Sequence, residues 1–316
     1  MDKFLGKFKI STLNQVGLLC GIQSATTKQA RIHNIITGLE MGNRINDKFD
    51  ITKLNVLAID IGVKNFAYCQ INNVDLTKNQ PIFINNWNKL NLLEKFPYNP
   101  LIDSQSLYDK KFYINHLANE ISKDLLKINP DVIVIETQRT RSNNNSITLQ
   151  PVLLNYTLEN LVYHQFWQQS KFIIPMTSAQ MINFWLNRFI TKQSINSSKN
   201  SKFLRNQLVL HWLNDKNSNL IKNSFNIDKY DKSSLLLALT LPTKNNKIDD
   251  LIDSLLYNLT VIQQLRNQRV LTHYLQQELD LNQFIDKYNK IQLDLIQPIV
   301  KSNDLQLLDE FSKPYS

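Results

Sequence analysis

The chain has 316 residues, 42% of them hydrophobic, and carries a formal net charge of +9 with a sequence pI near 9.3. That length suits one large α/β domain with appendages or two domains, and the basic balance favours an anionic partner such as nucleic acid or a membrane surface. No apolar run approaches a membrane span, so no membrane insertion is expected; two cysteines, Cys20 and Cys69, argue against a disulfide framework or a CxxC zinc site; and glycine, absent beyond Gly62, is too scarce for a phosphate-cradling loop, which argues against a nucleotide cofactor.

Leu13, Val16, Leu18 and Leu19 recur at helical spacing, Gly21 to Ser24 breaks the pattern, and Thr26 to Ile36 reads as a second short helix closed near Gly38. Such a pair buries little alone, so residues 1–45 are expected to form a small satellite module, joined by a polar linker at 46–53 to a larger domain over 54–316 with a helical C-terminal extension. Leu54 to Asp60 is an apolar run ending in a carboxylate, Gly62 permits a turn, and Lys64 to Ile71 reads as the partner strand of a hairpin. A third strand is expected over Pro81 to Trp87, a helix over Tyr108 to Ile128, and a buried strand over Asp131 to Glu136. Gln138 to Ser146 is polar and reads as a loop. Ile147 to Gln169 reads as a long helix whose Leu153, Leu154, Leu158, Leu161 and Phe166 serve as core or as an interface. A strand over Lys171 to Pro175 and helices over Met181 to Phe189 and Phe203 to Leu213 follow. After Pro242, Lys247 to Leu265 is strongly helical, and Gln268 to Lys290 extends it or forms another helix. Hairpin strands followed by helix–strand alternation imply an α/β fold with a mixed sheet flanked by helices.

Charge is unevenly spread along this order. From Arg269 onward 5 basic residues face 7 acidic ones, whereas Lys171, Arg188, Lys192, Lys199, Lys202 and Arg205 lie in a stretch from Asn160 to Asn214 that has no carboxylate. The five histidines, His33, His116, His164, His211 and His273, do not cluster at metal-ligand spacing.

The acidic residues carry the functional argument. Asp60 ends Val-Leu-Ala-Ile-Asp and Glu136 ends Val-Ile-Val-Ile-Glu. A carboxylate closing an apolar strand is costly unless it is paired or binds a metal. Asp249, Asp250 and Asp253 open the late helix. The first two suit a helix N-terminus, but Asp253 lies a turn further on, among Leu251, Ile252, Leu255 and Leu256, and shares a face with Asp249 or Asp250. Two strand-end carboxylates and a helical acidic pair can converge on one or two hard cations, Mg²⁺ or Mn²⁺, which prefer oxygen ligands and serve phosphodiester cleavage.

At these residues the chain resembles the fungal mitochondrial Holliday junction resolvases. The resemblance rests on Ile59-Asp60-Ile61-Gly62-Val63-Lys64-Asn65-Phe66-Ala67-Tyr68, on Ile135-Glu136-Thr137-Gln138-Arg139-Thr140-Arg141, and on Lys247-Ile248-Asp249-Asp250-Leu251-Ile252-Asp253, in the family's order, covering residues 54 to about 268. Leu13, Leu18-Leu19-Cys20-Gly21 and Lys28 resemble the SAP-type DNA-binding motif of the same family, with Ala25 departing from the glycine usual after the central serine.

The resemblance implies an RNase H-like fold and a Mg²⁺-dependent endodeoxyribonuclease, with Mn²⁺ as a possible substitute, that resolves four-way DNA junctions by paired symmetric nicks. It implies Asp60, Glu136, Asp249, Asp250 and Asp253 as the catalytic set, with Asp60, Glu136, Asp250 and Asp253 holding metal. Lys64, Gln138, Arg139, Arg141, Lys247 and Lys28 are implied DNA contacts. It also implies a homodimer, which matches the approximate two-fold symmetry of a four-way junction, and a mitochondrial location, which Met1 to Ile10 does not itself signal. The alternatives are an RNase H-like nuclease without junction preference and a non-catalytic DNA-binding protein of mitochondrial nucleoids.

Overall fold

Strand parity decides where the acidic residues go, and the sheet makes the parity visible. The structure, a computed structural model, describes residues 1–103, 106–138, 150–195, 198–215, 218–222, 231–243 and 247–312. Its elements in chain order are helices α1 (Asp2–Leu5), α2 (Ile10–Leu19) and α3 (Lys28–Lys48); strands β1 (Leu54–Asp60), β2 (Phe66–Val74) and β3 (Ile82–Leu90); α4 (Leu92–Lys95) and α5 (Leu107–Leu126); β4 (Val132–Glu136); α6 (Gln150–Gln168); β5 (Phe172–Met176); α7 (Ser178–Ile182), which continues as a π-helical turn over Asn183–Asn187; α8 (Ser198–Asn214); β6 (Ile221–Lys222); α9 (Lys232–Ala238); α10 (Asp249–Gln276); α11 (Leu281–Ser302); and α12 (Asp309–Ser312).

The sheet order is β5-β4-β1-β2-β3-β6. β1 and β2 form the expected antiparallel hairpin, β3 pairs antiparallel with β2, and β4 joins β1 in parallel after the crossover through α5. β1 is therefore central and has a partner on each side. Residues alternate between faces along a strand. Leu57, Ile59, Ile133 and Ile135 face one layer, where Leu117, Ile121, Leu158, Val162 and Phe166 of α5 and α6 cover them. Val56, Ala58, Val132 and Val134 face the other layer, which contains α8, α10 and α11.

α10 is the spine of that second layer. Leu251, Ile252, Leu255, Leu256, Leu259, Val261 and Ile262 are buried around its circumference, as expected of a helix with protein on all sides. Two side chains, through three hydrogen bonds, pin it to the sheet. The Asn258 amide donates to the carbonyls of Val56 (3.2 Å) and Cys69 (2.9 Å), and Trp87 Nε1 donates to Leu251 O at 2.9 Å.

Four local expectations change. The second helix of the N-terminal module does not close at Gly38: α3 continues to Lys48, through the first residues of the expected linker. Gly38 serves packing, since a Cβ there would lie 2.7 Å from Ile22 Cγ1. The module is also more than a satellite. Leu13, Val16, Leu19 and Ile35 share a core with Leu271, Leu275 and Phe284, while Gln264, Asn267 and Gln268 of α10 donate to the carbonyls of Leu18, Leu19 and Cys20. α6 divides: Leu158 and Phe166 are buried, whereas Leu153 and Leu154 are exposed. Finally, β2 starts at Phe66, which leaves Lys64 in the preceding turn. Cys20 and Cys69 are buried free thiols, as expected, and no helix among the described residues is long and apolar enough to cross a membrane.

Candidate active site

Asp60 and Glu136 follow from strand parity and register. Ile59 pairs with Ile135 across the parallel β1–β4 ladder, so Asp60 and Glu136 are the next residues on adjacent strands. Asp60 has the parity of Val56 and Ala58, and Glu136 that of Val132 and Val134, so both belong to the face that α10 covers. Asp60 is 8% exposed and Glu136 half-buried. Burial pushes the Asp60 carboxyl well above the usual carboxylate range. Glu136, close enough to share a proton with it, pushes the same way, as do Asp253 and Asp250.

The start of α10 supplies the other acids, and their partners sort them. Asp250 meets the buried Lys89 ammonium at 2.7 Å, and that ammonium also donates to Lys247 O at 2.8 Å. Asp253 receives both prongs of the Arg205 guanidinium, Nε at 2.6 Å and Nη2 at 2.9 Å. Burial raises the Asp253 carboxyl, Arg205 opposes that, and Glu136 and Asp250 add to the rise. Asp249 is engaged by α8 instead: Asn206 Nδ2 donates to it at 3.0 Å and Lys202 Nζ lies 3.5 Å away. Although burial favours its neutral form, these contacts hold Asp249 below the usual range. The helical phase that was open in the sequence thus resolves with Asp250 and Asp253 beside Asp60 and with Asp249 against α8.

Sequence reasoning missed several residues that surround this cluster. Lys89 continues the row of Asp60, because Asp60 pairs with Ala67 and Ala67 with Lys89; the cross-strand register held that signal. Arg205 lay in the carboxylate-free basic stretch, where nothing local set it apart from the other cations. Tyr257 follows Asp253 by one turn and is fully buried. Burial, then Glu136, Asp60 and Asp253, push its phenol well above the usual range, so it stays protonated, and its hydroxyl has no well-formed hydrogen bond. Glu159 of α6 accepts the Gln138 backbone N–H at 2.8 Å, while the Gln138 side-chain amide donates to Glu136 Oε2 at 3.0 Å. Gln138 thus holds a carboxylate of the cluster.

The expected DNA contacts are dispersed. Lys64 is exposed in the turn after β1, and Lys247 is exposed just before α10. Lys28 is far off in sequence on α3, where its ammonium donates to Gly6 O at 2.6 Å. Arg139 and Arg141 lie outside the described residues, as does most of the expected loop from Gln138 to Ser146.

Among the described residues, no three His, Cys, Asp or Glu side chains stand ready to enclose a cation. Asp253 and Asp250 are instead paired with Arg205 and Lys89. The donor set nevertheless fits a hard divalent cation. It offers only carboxylate oxygens, and a crowded group of four acids, two of them paired with Lys89 and Arg205, is short of positive charge.

The residues from 56 to 271 match a family described as "Mitochondrial resolvase Ydc2 / RNA splicing MRS1". The chain belongs to this family. The family's span runs from β1 into the second half of α10 and so contains every acidic residue of the cluster. The chain is 27% identical to a Saccharomyces cerevisiae protein named "Cruciform cutting endonuclease 1, mitochondrial", over 96% of this chain and 97% of that protein. It is 25% identical to the Schizosaccharomyces pombe protein of the same name, over 64% of this chain and 76% of that one. Its fold is similar to the crystal structure of the yeast mitochondrial Holliday junction resolvase Ydc2, with a TM-score of 0.52 at 21% identity, covering 89% of this chain and 100% of the other. The RNase H-like mixed sheet flanked by helices, expected from the sequence, is the fold of this family member.

Proposed function

We propose that this protein is a mitochondrial, structure-selective DNA endonuclease that resolves four-way junctions by hydrolysing phosphodiesters. The observation that carries the reading is the partly buried carboxylate cluster, Asp60 and Glu136 at neighbouring strand ends with Asp250 and Asp253 opposite on α10. The names of the relatives supply the branched-DNA substrate and the compartment.

In this reading Asp60, Glu136, Asp250 and Asp253 hold Mg²⁺, with Mn²⁺ as a substitute. When bound, such cations supply an activated water and charge stabilisation at the leaving 3′ oxygen. The protein's own residues do the rest. The β1–β4 register sets two carboxylates side by side, and Gln138, held by Glu159, orients Glu136. Asp249 acts from one side through its bonds to α8. Lys64, Lys247, Arg139 and Arg141 contact phosphates near the cut; arginine suits bidentate phosphate contact. Lys28 extends the contact on the N-terminal module, which packs on α10 of a nuclease domain that begins at β1.

The enzyme works as a homodimer. A four-way junction has approximate two-fold symmetry, and a C2 pair presents two identical sites to two strands of like polarity. The starts of α5 and α6 support this: Leu107, Tyr108, Phe112, Leu153 and Leu154 are exposed there. Both helices run antiparallel to β4, so these residues sit toward the end of the sheet that carries Asp60 and Glu136.

The test compares a synthetic four-way junction, a linear duplex, an RNA–DNA hybrid and a structured RNA in Mg²⁺, in Mn²⁺ and in chelator. Selective, cation-dependent cutting of the junction is expected. Equal cutting of hybrid and junction would point to a nuclease without junction preference. Binding without cutting would point to an architectural or RNA-binding member of the family.

A further inference from the structure

The acid that closes the cluster, Asp253, is not free in the fold. Arg205 reaches it from α8, 48 residues earlier, and uses Nε and Nη2 on its two oxygens at 2.6 and 2.9 Å. The third nitrogen, Nη1, donates to Ser201 Oγ at 3.0 Å, one turn back on the same helix. Arg205 is 4% exposed, which is rare for arginine and rules out an incidental surface pair. The flanking residues repeat the pattern, with Asn206 and Lys202 on Asp249. α8 therefore grips the acidic turn of α10 along its length.

A carboxylate has about four lone-pair directions, and the fork occupies two of them. Two directions remain for a cation. A planar guanidinium held by its own helix fixes the carboxylate plane in a way that a lysine ammonium, a single freely rotating point charge, does not. Burying Asp253 beside Asp60 and Glu136 would be prohibitive without such a cation.

We infer that Arg205 is a positioning residue for the metal site: its two-pronged bond sets the orientation of Asp253 and lets the acidic turn of α10 dock before any divalent cation arrives. The inference rests on the proposed metal site. It predicts that the arginine fork aids cation binding and does not compete with it.

The experiment titrates Mn²⁺ directly, by calorimetry, into the full-length wild type, Asp60→Asn, Arg205→Lys and Ser201→Ala, with thermal melts alongside. Wild type is expected to bind Mn²⁺ at a site lost in Asp60→Asn. Arg205→Lys, which keeps the charge and loses the fork, should bind roughly 10- to 100-fold more weakly, the usual effect of removing a group that orients a metal ligand. The Mn²⁺ concentration for half-maximal junction cleavage should rise by the same factor, with kcat recovered at saturating Mn²⁺. Ser201→Ala, which only loosens the fork, should weaken binding less and in the same direction. Unchanged or tighter Mn²⁺ binding by a folded Arg205→Lys overturns the inference and makes Arg205 a structural partner or a competitor. Should Arg205→Lys fail to fold, unchanged affinity in Ser201→Ala overturns it instead. Absence of Asp60-dependent Mn²⁺ binding in wild type overturns the metal-site reading beneath it.

Discussion

Asp60 and Glu136 stand beside each other on adjacent parallel strands, one residue past the paired Ile59 and Ile135, and lie close enough to share a proton in a buried setting. Such a pair works against the fold that holds it. Replacing Asp60 with asparagine removes a buried charge and keeps the shape, so the cation-free protein should become more stable, by about 1–2 kcal/mol. Thermal melts in chelator check this. Mg²⁺ should then raise the melting temperature of wild type and leave that of Asp60→Asn nearly unmoved, since only a state that binds cation gains from it. A lower melting temperature for the variant in chelator would contradict the assignment of Asp60 to a strained acidic pair.

Asn258 joins the site to the sheet. Its amide reaches the carbonyls of Val56 on β1 and Cys69 on β2 from a fully buried position. Asn258→Ala opens a small cavity and strips two buried acceptors of a donor, which should cost about 2–4 kcal/mol. Urea unfolding measures the loss directly. A shift under about 0.5 kcal/mol, the scale of an ordinary surface substitution, would show that α10 docks by apolar contact alone.

Much of this was legible because it is local. Val-Leu-Ala-Ile-Asp and Val-Ile-Val-Ile-Glu each declare a strand and the acid that ends it, and parity then places both acids on one face. The phase of the late helix was not legible. Asp253 can share a face with Asp249 or Asp250, and only residues distant in the chain, Lys89 on β3 and Arg205 and Asn206 on α8, choose between them. Gly38 looked like a helix stop because its role, the close approach of Ile22, belongs to tertiary packing. Leu153 and Leu154 had core-like identity, and their exposure depends on where neighbouring helices end.

Asp109, at the start of α5, gives a pH test that does not involve the acidic cluster. Its carboxylate accepts from the Tyr98 hydroxyl (2.8 Å), from the backbone N–H groups of Leu101 (2.7 Å), Ile102 (3.1 Å) and Asp103 (3.1 Å), and from Ser106 Oγ (2.7 Å). Burial favours the neutral acid, but the bonds from Ser106, Leu101, Tyr98 and Asp103 prevail and hold the group well below its ordinary value of 3.8. A carboxyl depressed in the folded state contributes stability that is present above the unfolded value and is lost as pH falls through the folded one. Asp109→Asn should therefore be less stable than wild type at neutral pH, with the gap narrowing as pH drops below 3.8. Chemical denaturation across pH 2 to 7, roughly the span over which such a carboxylate titrates, reads the effect; a gap independent of pH would show that the carboxylate's charge does not hold this loop.

The central claim is that the acidic cluster cuts branched DNA. It is tested most directly with a synthetic four-way junction, each strand labelled in turn, incubated in Mg²⁺ with wild type, Asp60→Asn and Glu136→Gln, and with junction binding measured separately in chelator. The account predicts paired nicks at symmetric positions by wild type, and variants that keep junction affinity while cutting at least about a thousandfold more slowly. Binding of the junction by wild type with no cleavage in Mg²⁺ or Mn²⁺, or cleavage by Asp60→Asn at the wild-type rate, would contradict it.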